Sequence, residues 1–324
     1  MKSQDLTDYL NVSLTYDFSK SLTLNNKMKG ICRLCNTDSD LRESHIIPSF
    51  VYKWLKTSSG TGFIRFGEKP NLRSQDGFKI YLLCDKCEKL FNSWETEFAN
   101  SVFHPLCKGS GTTFHYGSWM LKFAVSVSWR VLNYFVDGKD LSHFPVNLQK
   151  KASTALSYWQ KFLLEKSPHP DRFEQHMLPF DRIKRFNYPG MPPNINRYIL
   201  RTVDIDAVHG GDKYAYVYSK MGRIVIIGFI EIPNPRQWRG SKLHVKKGVL
   251  GSKHYTIPAE FGDYFIDKAK RMKKIQKSIS NNQKRKIDKT YRRDLDRAAH
   301  SETMKALGYD VNLFGQDAFT DKDE

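Results

Sequence analysis

The sequence predicts an α+β protein that consists of a small zinc-binding unit, a larger domain of helices and antiparallel sheet, and a basic helical extension. Three observations lead to this prediction. Two Cys-x-x-Cys pairs occur within the first hundred residues. Apolar residues recur at helical spacing over residues 117–136 and 146–165, and at a spacing of two between residues 198 and 232. The chain has 324 residues, which is enough for two domains.

The charge balance predicts a polyanionic partner. The net charge is +18, which favours DNA, with RNA as a second candidate and an anionic membrane surface as the rival. The longest apolar run, residues 224–230, is far shorter than the ~20 residues of a membrane-spanning helix. Because the N-terminus lacks a basic start followed by an apolar stretch, we predict no signal peptide and expect a cytoplasmic protein.

The two cysteine pairs predict a structural zinc site. Two thiolates separated by two residues can chelate one ion from a single tight turn, and four thiolates complete the tetrahedron that Zn²⁺ prefers. A site of this kind leaves no open position for a substrate, so any catalysis needs a different metal. The predicted zinc ligands are Cys32, Cys35, Cys84 and Cys87.

The order of motifs around these cysteines resembles the HNH endonuclease superfamily. Residues 44–48 read Ser-His-Ile-Ile-Pro and lie between the two pairs, and the second pair leads directly into a helical pattern. The resemblance covers roughly residues 30–100. It implies a ββα-metal fold of the treble-clef type and a metal-dependent endonuclease or nickase that cuts DNA. Stand-alone bacterial proteins of this kind often act in antiphage defence, which also implies possible partner proteins of a defence system.

The resemblance also implies roles for individual residues. His45 occupies the position of the general base, while Ser44 stands where the family often has a charged metal ligand. Glu88, where the family often has His or Asn, could bind a catalytic Mg²⁺ or Mn²⁺. At 100° per residue, Asn92 and Glu95 lie within about 60° of Glu88 on the same helix face. Each residue also has an alternative role that is purely structural. His45 could be a core histidine, Glu88 could only complement the dipole of its helix, and Glu95 could only face solvent.

The larger domain is predicted from two spacings of apolar residues, one typical of helices and one typical of strands. Residues 117–136 are apolar on most sides, which is typical of a buried helix, and residues 146–165 fit a second helix. The proline-rich residues 168–193 are predicted to be an irregular linker. Alternating apolar residues from Tyr198 onward then predict a three-stranded antiparallel meander that ends near residue 232.

The C-terminal region is predicted to contact phosphate groups. Residues 268–297 contain thirteen basic residues and three acidic ones. Such a concentration of positive charge is typical of contact with a nucleic-acid backbone, although a solvated helical face is the alternative. The residues that we predict for this contact are Lys273, Lys274, Lys284, Arg285 and Lys286.

Together these predictions divide the chain into four parts. They are an N-terminal lead-in (1–29), an HNH-like zinc-binding nuclease domain (30–108), a helical and antiparallel β domain of unknown role (109–265), and a basic helical C-terminal region (266–324). The predicted function is a metal-dependent endonuclease or nickase acting on DNA. Two alternatives are a zinc-finger protein that binds nucleic acid without catalysis, and a toxin that is gated by a ligand of the domain 109–265.

Overall fold

The fold was analysed in a computed structural model that describes residues 28–138, 141–232, 234–251 and 255–319. The predicted lead-in, residues 1–29, lies outside the described residues except for its last two, which begin the first strand. Helices combine with antiparallel sheets throughout these ranges. The predicted α+β class is therefore confirmed.

The N-terminal unit is a three-stranded antiparallel sheet with two helices, and the strand order is β1-β2-β3. A helix lies between the second and third strands, and another follows the third strand without a connecting loop. The elements are β1 (Met28–Ile31), β2 (Asp38–His45), α1 (Ser49–Thr57), β3 (Lys79–Cys84) and α2 (Asp85–Phe98). The apolar side chains of α2 on one face, Phe91 and Phe98, are buried, which leaves the opposite face free to line a surface cleft.

The next elements form a helical layer, and both predicted helices are found in it. They are a π-helical turn (Ala99–Phe103), α3 (His104–Lys108), β4 (Thr113–Tyr116), α4 (Trp119–Asp137) and α5 (Val146–Leu163). Helix α4 is buried on nearly every side because it packs against α2, against α5 and against the large sheet. It is therefore the element that joins the zinc-binding unit to the rest of the protein.

The large sheet has four antiparallel strands in the order β5-β8-β7-β6. Its last three strands in sequence are the predicted meander. The elements of this region are β5 (Gln175–Pro179), α6 (Ile195–Arg201), β6 (Val203–His209), β7 (Ala215–Met221), β8 (Ile224–Glu231) and β9 (Gly248–Gly251), the last of which pairs with β4.

Two local predictions in this region were wrong. The proline-rich segment, predicted as irregular linker, contains strand β5, and Pro179 is tolerated because it ends a strand at the edge of the sheet. Tyr198 and Leu200, predicted to begin the meander, lie in helix α6. The side chains of Tyr198 and Ile199 are buried against the sheet and its covering helix, so tertiary packing outweighs their strand propensity.

Four further α-helices follow in the described part of the chain: α7 (Ala259–Lys277), α8 (Asn281–Arg293), α9 (Leu295–His300) and α10 (Glu302–Phe314). The large sheet is covered on both faces, since Ile224 and Ile226 of β8 face α4 and α5 whereas Val225 and Ile227 face α6 and α7. This two-sided burial explains why the sequence of β8 is apolar at nearly every position.

The C-terminal helices return to the zinc-binding unit. Asp310 of α10 is buried and accepts hydrogen bonds from the backbone N–H of Asn196 (2.7 Å) and from Nε of Arg197 (2.8 Å). The N–H of Glu302 donates to the carbonyl oxygen of Ser58 (3.0 Å), in the loop that follows α1. None of the helices in the described part of the chain is both long enough and apolar enough to cross a membrane.

Candidate metal centre and active-site cleft

The four cysteines of the two Cys-x-x-Cys pairs converge on one point. Their sulfur atoms all lie within 4.8 Å of one another, and they are the one group of this kind among the described residues. The first pair lies in the turn between β1 and β2, while Cys84 ends β3 and Cys87 lies in the first turn of α2. Pairing of β2 with β3 brings the two turns together across 52 residues of sequence.

The spacing of the sulfur atoms fits a tetrahedral zinc ion. A tetrahedron with Zn–S bonds of about 2.3 Å places its sulfur atoms about 3.8 Å apart. The Sγ atoms of Cys35 and Cys84 are 3.8 Å apart, which is also far too long for a disulfide bond. The four cysteines can therefore hold a metal ion such as zinc.

The surrounding backbone is arranged to support thiolates. The N–H of Cys84 donates to Sγ of Cys32 (3.3 Å), and the turn closes through a hydrogen bond from the N–H of Asn36 to the carbonyl oxygen of Cys32 (2.8 Å). Asn36 has φ of +60°, a left-handed conformation that asparagine tolerates better than most residues. Burial, together with the neighbouring thiols, raises the pKa of Cys87, and a bound cation reverses that effect.

Next to this centre, strand β2 ends at His45. The His45 Nε2 atom is 2.9 Å from Oδ1 of Asp76, which also accepts a hydrogen bond from the N–H of Gly77 (2.8 Å). Burial alone would raise the pKa of Asp76, but hydrogen bonds from Lys79, His45 and Gly77 lower it below its usual value. The Asp76 carboxylate is thus ionised at neutral pH and holds the imidazole in a fixed orientation.

An open cleft of about 240 Å³ lies between the end of β2 and the exposed face of α2. That space is enough for a hydrated cation beside a phosphate group. The cleft is lined by His45, Ser49, Glu88, Lys89, Asn92, Glu95 and Arg130. The structure therefore brings together all four residues that the sequence predicted for the active site.

Glu88 and Asn92 also line the cleft, and among the described residues neither side chain forms an ion pair or hydrogen bond with a positively charged side chain. The Ser44 hydroxyl, which is buried, donates a hydrogen bond to the Glu88 carboxylate. Ser44 therefore supports a neighbouring carboxylate instead of serving as the charged ligand that the family often has at this position. Carboxylate and amide oxygens suit Mg²⁺ or Mn²⁺, and Mg²⁺ commonly binds through one or two protein groups and several waters. Glu88 and Asn92 together fit that donor set.

Glu95 has a different environment. Its carboxylate forms an ion pair with the guanidinium group of Arg130 at 2.7 Å, and their side chains are 12% and 3% exposed. The contact is an ion pair and not an aligned hydrogen bond. Burial raises the pKa of Glu95, although the positive charge of Arg130 opposes the shift. Because Arg130 already neutralises this carboxylate, Glu95 is a weaker metal ligand than Glu88.

Two residues of the cleft region were not predicted from the sequence. Arg130 comes from α4, donates to the carbonyl oxygen of His45 (2.9 Å), and so fixes the end of β2. A charged residue in the middle of a buried apolar helix is a signal that could have identified it. Asp76, in a loop 31 residues beyond His45, carries no such signal. An Asp-Gly pair in a loop is read first as a turn.

The five basic residues predicted for phosphate contact lie on α7 and α8. All are exposed except Lys273, which is half-buried, and α8 has no buried residue. Lys268, at the start of the same basic segment, is different: its ammonium group is 2.7 Å from the Asp206 carboxylate and 3.5 Å from that of Asp204. With its side chain only 9% exposed, Lys268 joins α7 to the sheet and does not belong to the exposed basic surface.

Comparison of the chain with protein-family models, with curated proteins and with solved structures finds no match. Function must therefore be argued from the geometry and chemistry of the metal centre and the cleft.

Proposed function

We propose that the protein is a metal-dependent endonuclease or nickase of the HNH type that acts on DNA. The observation that carries the proposal is the cleft beside the four-cysteine centre, in which the histidine that ends β2 lines the same space as carboxylate and amide groups of α2. Hydrolysis of a phosphodiester needs a base for the attacking water and positive charge near the phosphate. The cleft residues offer both a base and ligands for a cation.

His45 is the general base in this proposal. If its Nε2–H donates to Asp76, then Nδ1 is the unprotonated nitrogen that can accept a proton from water. Water then attacks phosphorus, the bond to the 3′ oxygen breaks, and the proton of the water passes to His45. Asp76 is a positioning residue, because it acts on the substrate only through the imidazole. Arg130 positions the same histidine through its backbone carbonyl group.

Glu88 and Asn92 are the proposed ligands of a catalytic Mg²⁺ or Mn²⁺. When bound there, the cation would polarise the scissile phosphate and stabilise the departing 3′ oxygen. The four cysteines, with zinc, would hold β3 and the first turn of α2 in place and so orient Glu88, which directly follows Cys87. A role in defence against phages or other mobile DNA is the biological context we propose, and it rests on the family resemblance alone.

The test is cleavage of supercoiled plasmid in Mg²⁺ or Mn²⁺. We expect His45→Ala to keep its fold and its zinc but to cut at least ~100-fold more slowly, which is the usual scale of loss for a positioned acid–base group. Glu88→Ala should be partly rescued by additional metal, whereas His45→Ala should not. His115→Ala, which changes an exposed histidine of β4, is the matched control and should cut like the wild type.

Asp76→Asn tests the positioning role. We expect reduced kcat and a displaced pH–rate profile with little change in DNA affinity, because the carboxylate acts on the histidine and not on the substrate. If His45→Ala cuts plasmid as fast as the wild type, the protein is not an HNH-type nuclease. A zinc-dependent nucleic-acid-binding protein without catalysis then becomes the better interpretation, and the neutralisation of Glu95 by Arg130 is the observation that favours it.

A further inference from the structure

The loop between the two cysteine pairs contains a short hairpin with two facing arginines. Ile64 and Ser74 exchange both backbone hydrogen bonds, at 3.0 and 2.9 Å. In an antiparallel pairing, this register places Arg65 directly opposite Arg73, with both side chains on the same side of the hairpin. Like charges at directly opposed positions repel and destabilise the pairing. We call these two residues the arginine pair.

Neither member of the arginine pair has an acidic partner among the described residues. Arg65 is half-buried, yet its Nε and Nη2 atoms are fully enclosed and make no hydrogen bond. The Arg73 guanidinium lies over the ring of Phe63, 4.7 Å from its centroid, and Arg73 is exposed. Burial and the charge of Arg73 both lower the pKa of Arg65, and Tyr291 opposes them. Enclosed guanidinium donors without an acceptor are uncommon in folded proteins, because their desolvation is not compensated.

The hairpin is held rigidly against the basic C-terminal helices. Gly67 is packed so closely against Ile275 of α7 that an added Cβ would lie 2.8 Å from its terminal carbon. The side-chain oxygen of Asn71 accepts a hydrogen bond from the N–H of Ser280 (2.8 Å), the residue that caps α8. The ring of Tyr291 packs in the same way against Gly60. The arginine pair is therefore fixed next to the start of α8.

We propose that the arginine pair is a binding site for a phosphate group of the DNA backbone, and that it continues the basic surface of α8 onto the zinc-binding unit. Guanidinium groups bind phosphate oxygens through N–H donors, and a phosphate held by the exposed Arg73 guanidinium, beside the half-buried Arg65, would offset the repulsion between the two charges. The exposed cations Lys284, Arg285 and Lys286 follow within the first two turns of α8. The choice of DNA as the source of the phosphate rests on the proposed function.

The experiment measures binding without cleavage. Full-length, zinc-loaded protein is titrated into a fluorescent DNA duplex without Mg²⁺ or Mn²⁺, and fluorescence anisotropy is recorded across a series of salt concentrations. We expect Arg73→Gln to weaken binding and to flatten the slope of log affinity against log salt by ~0.9 for one lost phosphate contact. Arg73→Lys should keep the slope, because the charge remains. A charge-matched control on α5, Lys150→Gln, should leave affinity and slope unchanged.

Arg73 is the informative position because it is exposed, so its replacement should not prevent folding. Arg65→Gln added to Arg73→Gln should flatten the slope further, and a thermal melt confirms that this double variant is folded. If Arg73→Gln binds like the wild type with an unchanged slope, the inference is overturned even when His45→Ala abolishes cleavage. If Arg73→Gln loses affinity while the wild-type protein itself does not cut plasmid, the phosphate site is supported and the nuclease proposal fails.

Discussion

Replacement of Arg130 by methionine should destabilise the protein by ~3 kcal/mol. The change keeps much of the apolar stem but leaves the Glu95 carboxylate without its cation, in a site where that side chain is 12% exposed. Breaking a buried ion pair in this way typically costs ~3–5 kcal/mol. Partial hydration of Glu95 favours the low end of that range. The lost hydrogen bond to the carbonyl oxygen of His45 adds to the cost.

The size of this effect should depend on pH. Without the positive charge of Arg130, burial and the nearby Glu88 carboxylate raise the pKa of Glu95 in the folded state further above the unfolded value, although His45 opposes them. Between those two pKa values the folded protein binds a proton that the unfolded chain does not, so stability falls as pH rises. The penalty of Arg130→Met should therefore be smaller at pH 5 than at pH 7.5. Adding Glu95→Gln should recover ~1–2 kcal/mol at the higher pH, because it removes the unpaired charge.

Urea denaturation followed by circular dichroism measures both effects. Lys122→Met is the matched control, since this cation lies on the same helix but its acidic partner, Glu165, is 80% exposed. A pair of that kind contributes ~1 kcal/mol or less. If Arg130→Met costs less than ~1 kcal/mol, or costs the same at both pH values, the ion pair with Glu95 does not exist in solution as described.

Three further outcomes follow from the metal centre and the basic helices. Freshly purified, reduced protein should contain about one zinc by elemental analysis, and Cys84→Ser should lose the zinc and unfold residues 30–100; zinc-free folded protein would contradict this. Neutralising the five predicted contact residues of α7 and α8 should weaken DNA binding without changing sequence preference, and it should flatten the slope of log affinity against log salt by ~0.9 per contact. An unchanged slope would show that these residues form only a solvated helix surface. Lys268→Met should instead destabilise the fold, because Asp204 and Asp206 lose their shared cation, and should leave the salt slope of the folded protein unchanged.

The features that could be predicted from the sequence are those fixed by local spacing. The cysteine pairs, the buried helix α4 and strands β6 to β8 each carry their pattern within a few residues. Strand β5 and helix α6 could not be identified in this way. Their conformations depend on the sheet edge and on α7, which are contributed by distant parts of the chain.

The same distinction applies to the cleft. Glu88, Asn92 and Glu95 lie on one helix, and their common face follows from helix geometry, whereas His45 at the end of β2 was grouped with them from the order of the motifs. The partner of Glu95, by contrast, belongs to a helix whose sequence gives no indication that it approaches the zinc-binding unit. The identity of that cation decides whether Glu95 is available to a metal ion. The position of the cleft could thus be predicted from the sequence. The ion pair between Glu95 and Arg130 could not, because it joins two distant parts of the chain.

The contact between the C-terminal helices and the loop after α1 has a consequence during protein synthesis. Arg297 donates to the carbonyl oxygen of Ser59, from which it is 238 residues distant in sequence. At translation rates of 5–20 residues per second, Arg297 is synthesised roughly 10 to 50 s after Ser59. A ribosome-bound chain that stops before α9 should therefore have a protease-sensitive loop and an incomplete basic surface, and the full-length chain should not. A cell would thus assemble the complete basic surface only after α9 has been synthesised.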